Sequence, residues 1–177
     1  MKIISTVKLS PLENGFTVYK NENNKLNVFN KDGKIISPDL WFDRISEFVN
    51  GFARVLIDEL GFNYISEDGR LVSPKQWFVA GWNFDKNGIA SVWFNKKACL
   101  IDTDGNVIIS TDYDHVETFV NGYARVCKRE NDQWVWNLIN KEGNLVLHKW
   151  YKHVSPVKNG ICVVTEEDGT EISNKLN

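Results

Sequence analysis

The chain lacks most of the marks by which an activity is read from sequence. No apolar run approaches the roughly 20 residues of a membrane-spanning helix, so no membrane span is expected. The opening MKIISTVKLSPL is interrupted by Lys8 and has no small-residue cleavage site, so it is not read as a secretory leader. Cysteine is scarce. Cys99, Cys127 and Cys162 are odd in number, have no CxxC spacing and each lies in an apolar run, which fits small buried residues of a cytoplasmic protein. Charge of one sign is also missing: 21 basic residues against 23 acidic ones give a formal charge of -2, which removes the electrostatic footprint of a general nucleic-acid or anionic-membrane binder. No stretch sustains a 3.6-residue apolar period, so no helix of consequence is expected.

What the chain has instead is repetition. FVNGFARV at 48–55 returns as FVNGYARV at 119–126, and the glycine of that phrase recurs at Gly15, Gly51, Gly88, Gly122 and Gly160, in steps of 36, 37, 34 and 38 residues. A second glycine, after Asp or Glu, follows at Gly33, Gly69, Gly105 and Gly143, in steps of 36, 36 and 38. Aromatic residues close each unit at Trp41-Phe42, Trp77-Phe78, Tyr113 and Trp150-Tyr151. Two independent glycine rulers agree on a period near 36, so the 177 residues form one tandem-repeat domain. Its units run at about 15–50, 51–87, 88–121, 122–159 and 160–177, with 1–14 as a closing or capping segment.

Within a unit, FARVLI alternates with period 2 and places Ala53 on the face opposite Arg54, the pattern of a strand. The Ala53 slot is filled by Thr17, Ala90, Ala124 and Cys162 elsewhere, all small, which predicts close approach of neighbouring strands or sheets. A short apolar run then meets the acidic-Gly turn, a hairpin signal because glycine accepts positive φ without a Cβ clash, and the chain returns toward the aromatic residues. Each unit reads as three antiparallel strands and a short fourth. The fold class is therefore all-β, five tandem antiparallel units. Because start and tail together make about one unit, a closed five-bladed propeller-like ring is expected, with an open β-solenoid as the alternative. A glycine at every unit start also predicts that Gly51→Val is damaging and Asn50→Ser mild.

The spaced pattern of F..G.A.V, a short apolar strand,..DG..V and a closing aromatic, from Gly15 to Val164, resembles the bacterial WG-repeat (KWG-repeat) family. Where that family has Trp-Gly, this chain has Leu26-Asn27, Phe62-Asn63, Ala98-Cys99 and Trp136-Asn137. The resemblance implies a tandem array from a bacterial or phage setting, a binding or scaffolding module with no assigned chemistry.

Candidate sites are few. Asp102 and Asp104 before Gly105 imitate the start of a calcium loop, but the same slots hold Asn30 and Asp32, Ser66 and Asp68, and Asn140 and Glu142, so turn geometry accounts for them and no metal is expected. HKWYKH, 148–153, offers a basic and aromatic cluster, of which Trp150 and Tyr151 are already used by the repeat. His115 lies near Asp112 and Asp114 without a nucleophile at a recognisable spacing, so no catalytic residue and no cofactor are named and the chain is read as a non-enzyme. Large residues that do not recur are better candidates for binding than the repeat anchors: Trp82, Trp93 and Trp134, joined by Arg54 and Arg125, which share one strand slot. The leading reading is a non-catalytic module that presents a β-repeat surface to another protein. The alternative is a small-ligand binder for a nucleotide or sugar, and an enzyme is least supported.

Overall fold

The computed structural model describes residues 7–11 and 15–176, so residues 1–6 and 12–14 of the expected closing or capping segment lie outside the described residues. Every described element is a strand. The chain divides into two compact units, residues 1–94 with 102–106, and residues 95–101 with 107–177.

In the first unit, β1 (Val7–Pro11), β2 (Thr17–Lys20) and β3 (Leu26–Phe29) form one antiparallel sheet, and β4 (Arg44–Val49), β5 (Phe52–Ile57) and β6 (Gly61–Ser66) form a second. The short β7 (Ala80–Gly81) pairs with β8 (Ala90–Phe94). In the second unit, β9 (Lys97–Ile101) pairs with β10 (Val107–Ser110). There β11 (His115–Val116), β12 (Tyr123–Glu130) and β13 (Gln133–Asn140) form a further sheet, as do β14 (His153–Val154), β15 (Ile161–Thr165) and β16 (Glu171–Lys175). The strands fall into five sheets, each made of consecutive strands, and no described sheet combines strands from the two ends of the chain. Among the described residues no sheet closes the start onto the tail: β1 supplies the outer strand of the first sheet itself.

Two central-strand hairpins turn on Asn50-Gly51 and Asn121-Gly122. Both residues of each pair have positive φ, +52° and +86° in the first and +53° and +89° in the second, the two-residue turn whose twist matches that of its strands. The small-residue slot is fully buried in four of its five occurrences: Ala53, Ala90 and Ala124 have no exposed surface and Cys162 has 1%, while Thr17 in the first sheet is partly buried. Around Ala53 the core gathers Phe16, Val28, Phe42, Phe48, Val55 and Ile65. The second unit has its own cluster of Leu138, Leu147, Tyr151, Val154, Val157 and Val164 around Cys162.

The expected fourth strand forms only as β10. In the other corners the return arm touches the third strand at two isolated bridges: Phe29–Ile35 and Leu26–Phe42, Ile65–Leu71 and Phe62–Phe78, Ile139–Leu145 and Trp136–Tyr151. Seven steps on the arm face three on the strand in the first two cases, so the arm loops out between bridges. A buried asparagine plugs each loop. Asn63 Nδ2 donates to the carbonyls of Ser73 (2.7 Å) and Gln76 (3.1 Å), while its Oδ1 accepts the N–H groups of Tyr64 (2.8 Å) and Ser73 (3.2 Å). Asn27 donates likewise to Ser37 and Leu40, and Asn137 to Leu147 and Lys149. These asparagines stand in the slot where the resembled family has glycine. At Cys99 the arm carries one surplus residue, absorbed as a β-bulge between Val107 and Ile109, and a regular strand results.

Candidate functional site

Arg54 and Arg125 occupy equivalent central-strand positions, yet neither is a free surface group. Arg54 Nη1 reaches the Gly81 carbonyl at 2.8 Å, and Arg125 Nη1 reaches the Val154 carbonyl at 3.1 Å. In each case the guanidinium ties its own sheet to the next outer strand. The turn asparagines reach the segments just after those strands: Asn50 Nδ2 donates to the Phe84 carbonyl (2.7 Å) and Asn121 Nδ2 to the Val157 carbonyl (2.8 Å). Asn50 thus carries a tie as well as a turn, so Asn50→Ser loses more than the sequence alone implies. Gly51, by contrast, would meet nothing within 4 Å on gaining a Cβ and is constrained by its φ alone.

The first unit brings Arg54, Trp82 and Trp93 to one place, the short strand β7. Tyr64 donates its hydroxyl to the Trp82 carbonyl at 2.7 Å, one residue beyond the carbonyl that Arg54 holds. Burial holds the Tyr64 phenol far above its ordinary value, with a smaller opposing pull from Arg54. Trp93 pairs with Ala80 in the ladder and is partly buried. The Trp82 side chain is 50% exposed beside Val79 at 68%, so the strand held by Arg54 and Tyr64 displays two large apolar groups to solvent.

The second unit separates its candidates. Arg125 forms a bidentate pair with Glu117, Nε to Oε2 at 2.7 Å and Nη2 to Oε1 at 2.6 Å, and lies over the Trp136 ring at 5.4 Å. Trp134 pairs with Arg129 near the far tip of the same hairpin and is 52% exposed. It borders an open groove of about 780 Å³ lined also by Glu130, Asp132, Lys152 and Glu167.

The remaining candidates are absorbed by local structure. Asp102 Oδ1 accepts the N–H groups of Asp104 and Asn106, both at 2.9 Å. Burial alone would raise its carboxyl, but these bonds and that from the Asn106 side chain outweigh it and leave it below the usual range. In HKWYKH, Tyr151 is buried and bridges Trp136, Trp150 packs edge-on to Tyr113, Lys128 lies over Trp150, and Lys149 pairs with Glu166 at 2.8 Å. His115 is held below its ordinary value chiefly by burial, against the opposing pull of Glu117. All three cysteines are buried free thiols, and burial pushes Cys127 up to about 11. Among the described residues no cluster of His, Cys, Asp and Glu could hold a metal ion, and no helix is long and apolar enough to cross a membrane. Sequence reasoning missed Glu117 and the plugging asparagines. The recurrence of Asn at positions 27, 63 and 137 was the available signal for the latter.

Two segments, residues 28–60 and 100–134, match the family model described as WG containing repeat. Both begin one residue after the slot held by Asn27 in one corner and Cys99 in the other, at Val28 and Leu100, so the sequence repeat starts in the third strand of one sheet and ends in the next. No curated protein matches the chain. Among solved structures, a crystal structure of the eukaryotic initiation factor aligns with a TM-score of 0.53 at 10% identity, over 97% of this chain and 52% of that one. At that identity the likeness is one of fold, and this chain spans about half the length of its match. The computationally designed Ika4 protein aligns at 0.45 and 14% identity, over 73% of this chain and 88% of that one. The Pan2 WD40 domain of Neurospora crassa aligns at 0.37 and 12%, over 96% and 60%.

Proposed function

We propose that this array, with WG-containing repeats at residues 28–60 and 100–134, is a non-catalytic module that binds another protein through surfaces carried on its outer strands and hairpin tips. One observation carries the reading: the aromatic residues that recur in the repeat are buried or partly buried in it, whereas Trp82 and Trp134, which do not recur, are half exposed. Tryptophan of this kind is the usual centre of a protein-binding patch, a large apolar face with a polar N–H. Repetition supports the same reading, because nearest-neighbour stacking of repeats builds an extended binding surface. The closing of the five units into a ring is a proposal too, resting on the period of the sequence rather than on any shared sheet. Removing residues 1–10 tests it: loss of cooperativity throughout the chain is expected, and retained hydrogen-exchange protection at Gly122 and Gly143 overturns it.

The test of function is affinity capture from a cell extract with the intact chain and with Trp82→Ala and Trp134→Ala. A specific protein is expected to be retained by the parent and lost by at least one variant of unchanged melting temperature. Equal capture by all three forms, or turnover that survives purification, overturns the reading. A second reading, a small-ligand binder, is favoured by the groove beside Trp134, and a nucleotide or sugar released on denaturation would establish it.

A further inference from the structure

The second and fourth sheets contain the same arginine with and without its acid. Strand register fixes the correspondence. Ile45 pairs with Val55 as Val116 pairs with Val126, so Ser46 stands where Glu117 stands; Leu56 pairs with Phe62 as Cys127 pairs with Trp136, so Phe62 stands where Trp136 stands. Arg54 and Arg125 are then one position. Both send Nη1 to a backbone carbonyl of the following outer strand, so the two guanidinium groups are anchored alike. Arg125 gives its Nε and Nη2 to the Glu117 carboxylate. Arg54 Nε is shielded from water and has no acceptor at all, and no other buried side-chain nitrogen or oxygen among the described residues lacks a partner.

Where the fourth sheet has the Glu117 side chain, the second has space. A cavity of about 350 Å³ is lined by Arg44, Ser46, Arg54, Leu56 and Phe62 among others, and no acidic residue borders it. Ser46 accepts the Arg54 backbone N–H through its hydroxyl at 2.9 Å and is too short to replace a carboxylate. Arg44, exposed beside it, adds a second positive charge. A buried N–H without an acceptor is unfavourable, and a planar guanidinium favours a carboxylate that can take two of its N–H groups together.

We propose that the cavity beside Arg54 is a binding site for a carboxylate supplied from outside the chain, seated on Arg54 as Glu117 is seated on Arg125. In its fullest form this rests on the protein-binding reading, with the carboxylate belonging to an acidic side chain or chain end of the partner. A free small carboxylate has the same chemistry and is distinguished by the test.

The experiment follows the Arg54 Nε–H resonance of the intact chain during titration with N-acetylglutamate, N-acetylglutamine and a short glutamate-containing peptide. A saturable shift is expected with the first and third and none with the second. The variant Ser46→Glu, which supplies the acid internally, should remain folded, show the shifted resonance from the outset and respond at least tenfold less. Glu117→Ser should make Arg125 respond in its turn. Peptide binding at least tenfold tighter than N-acetylglutamate assigns the site to a macromolecular partner, and equal binding assigns it to a free carboxylate. An unshifted Arg54, an equal response to the neutral amide, or a response undiminished in Ser46→Glu overturns the proposal. A silent Arg54 with partner capture intact rejects this site alone, while a responsive Arg54 with no partner captured rejects the protein-binding reading alone.

Discussion

The corner built around Asn63 and the corner built around Cys99 solve the same problem with different numbers of residues. Both must bring a chain back along the third strand after an acidic-Gly turn. At Asn63 the return arm carries four surplus residues between its bridges, and the side-chain amide satisfies the backbone groups that the looped arm leaves unpaired. At Cys99 one surplus residue is absorbed by a bulge, backbone pairing does the rest, and Thr111 holds the Ala98 carbonyl through its N–H (3.0 Å) and hydroxyl (2.9 Å). The thiol contributes only weak contacts, 3.9 Å to the Lys97 carbonyl and 3.7 Å to Ser110 Oγ. A looped arm requires a polar residue in the core, whereas a paired arm tolerates a small apolar one. The difference also explains why the step from Gly88 to Gly122 is the shortest, 34 residues.

The largest effect should come from the turn of the Asn63 corner. Gly69 has a φ of +86°, and a Cβ there would overlap the Ile36 carbonyl of the preceding corner. Gly69→Val is expected to remove more than about 4 kcal/mol, combining strain with overlap, and to leave the first unit unfolded by hydrogen exchange. Gly143→Val, whose Cβ would meet nothing within 4 Å, should lose only the strain, about 1–3 kcal/mol in denaturant titration. Equal losses would show that the turns do not bear on their neighbours.

Next in size is the plug itself. Asn63→Ala strands the Ser73 and Gln76 carbonyls and the Ser73 N–H in the interior, and on the order of 3 kcal/mol should be lost in urea unfolding. The reciprocal change, Cys99→Asn, buries an amide where the arm is already paired along the third strand and should lose about 2 kcal/mol, while Cys99→Ala stays within about 1 kcal/mol. Lengthening the arm after Ser110 by three residues together with Cys99→Asn should recover part of the loss. If the single change is harmless, the pairing of plug with loop is wrong.

The smallest effect is one of pH. Burial keeps the Tyr64 phenol protonated in the folded chain well above the value of about 10 at which an unfolded tyrosine ionises. The stability that depends on this proton is therefore complete below pH 10 and declines as the pH rises beyond it. Tyr64→Phe should flatten that decline at the expense of the bond to the Trp82 carbonyl, about 1 kcal/mol at neutral pH. An alkaline profile identical to the parent's would remove Tyr64 from the account.

Much of the corner architecture was legible in the sequence because glycine positions report backbone conformation directly. The nine glycines of the two rulers all have φ between +72° and +89°. The small slot at Ala53 announced close packing for the same reason, since its chemistry is local. What was not legible depends on partners far apart in the chain. Asn63 reads as a polar interruption until the carbonyls ten and thirteen residues on are placed around it. Arg54 and Arg125 read as twins, and only the register of the outer strands reveals that one has an acid eight residues upstream and the other a serine.

The arginine and turn-asparagine ties from one sheet to the next end on main-chain carbonyls: Gly81 and Phe84 in the first unit, Val154 and Val157 in the second. A carbonyl is present whatever amino acid occupies the position, so neither neighbour must mutate in step with the other. A gene that duplicates one period inherits a working junction at once, and its copies are then free to diverge on their outer faces, as Ser46 and Glu117 have done.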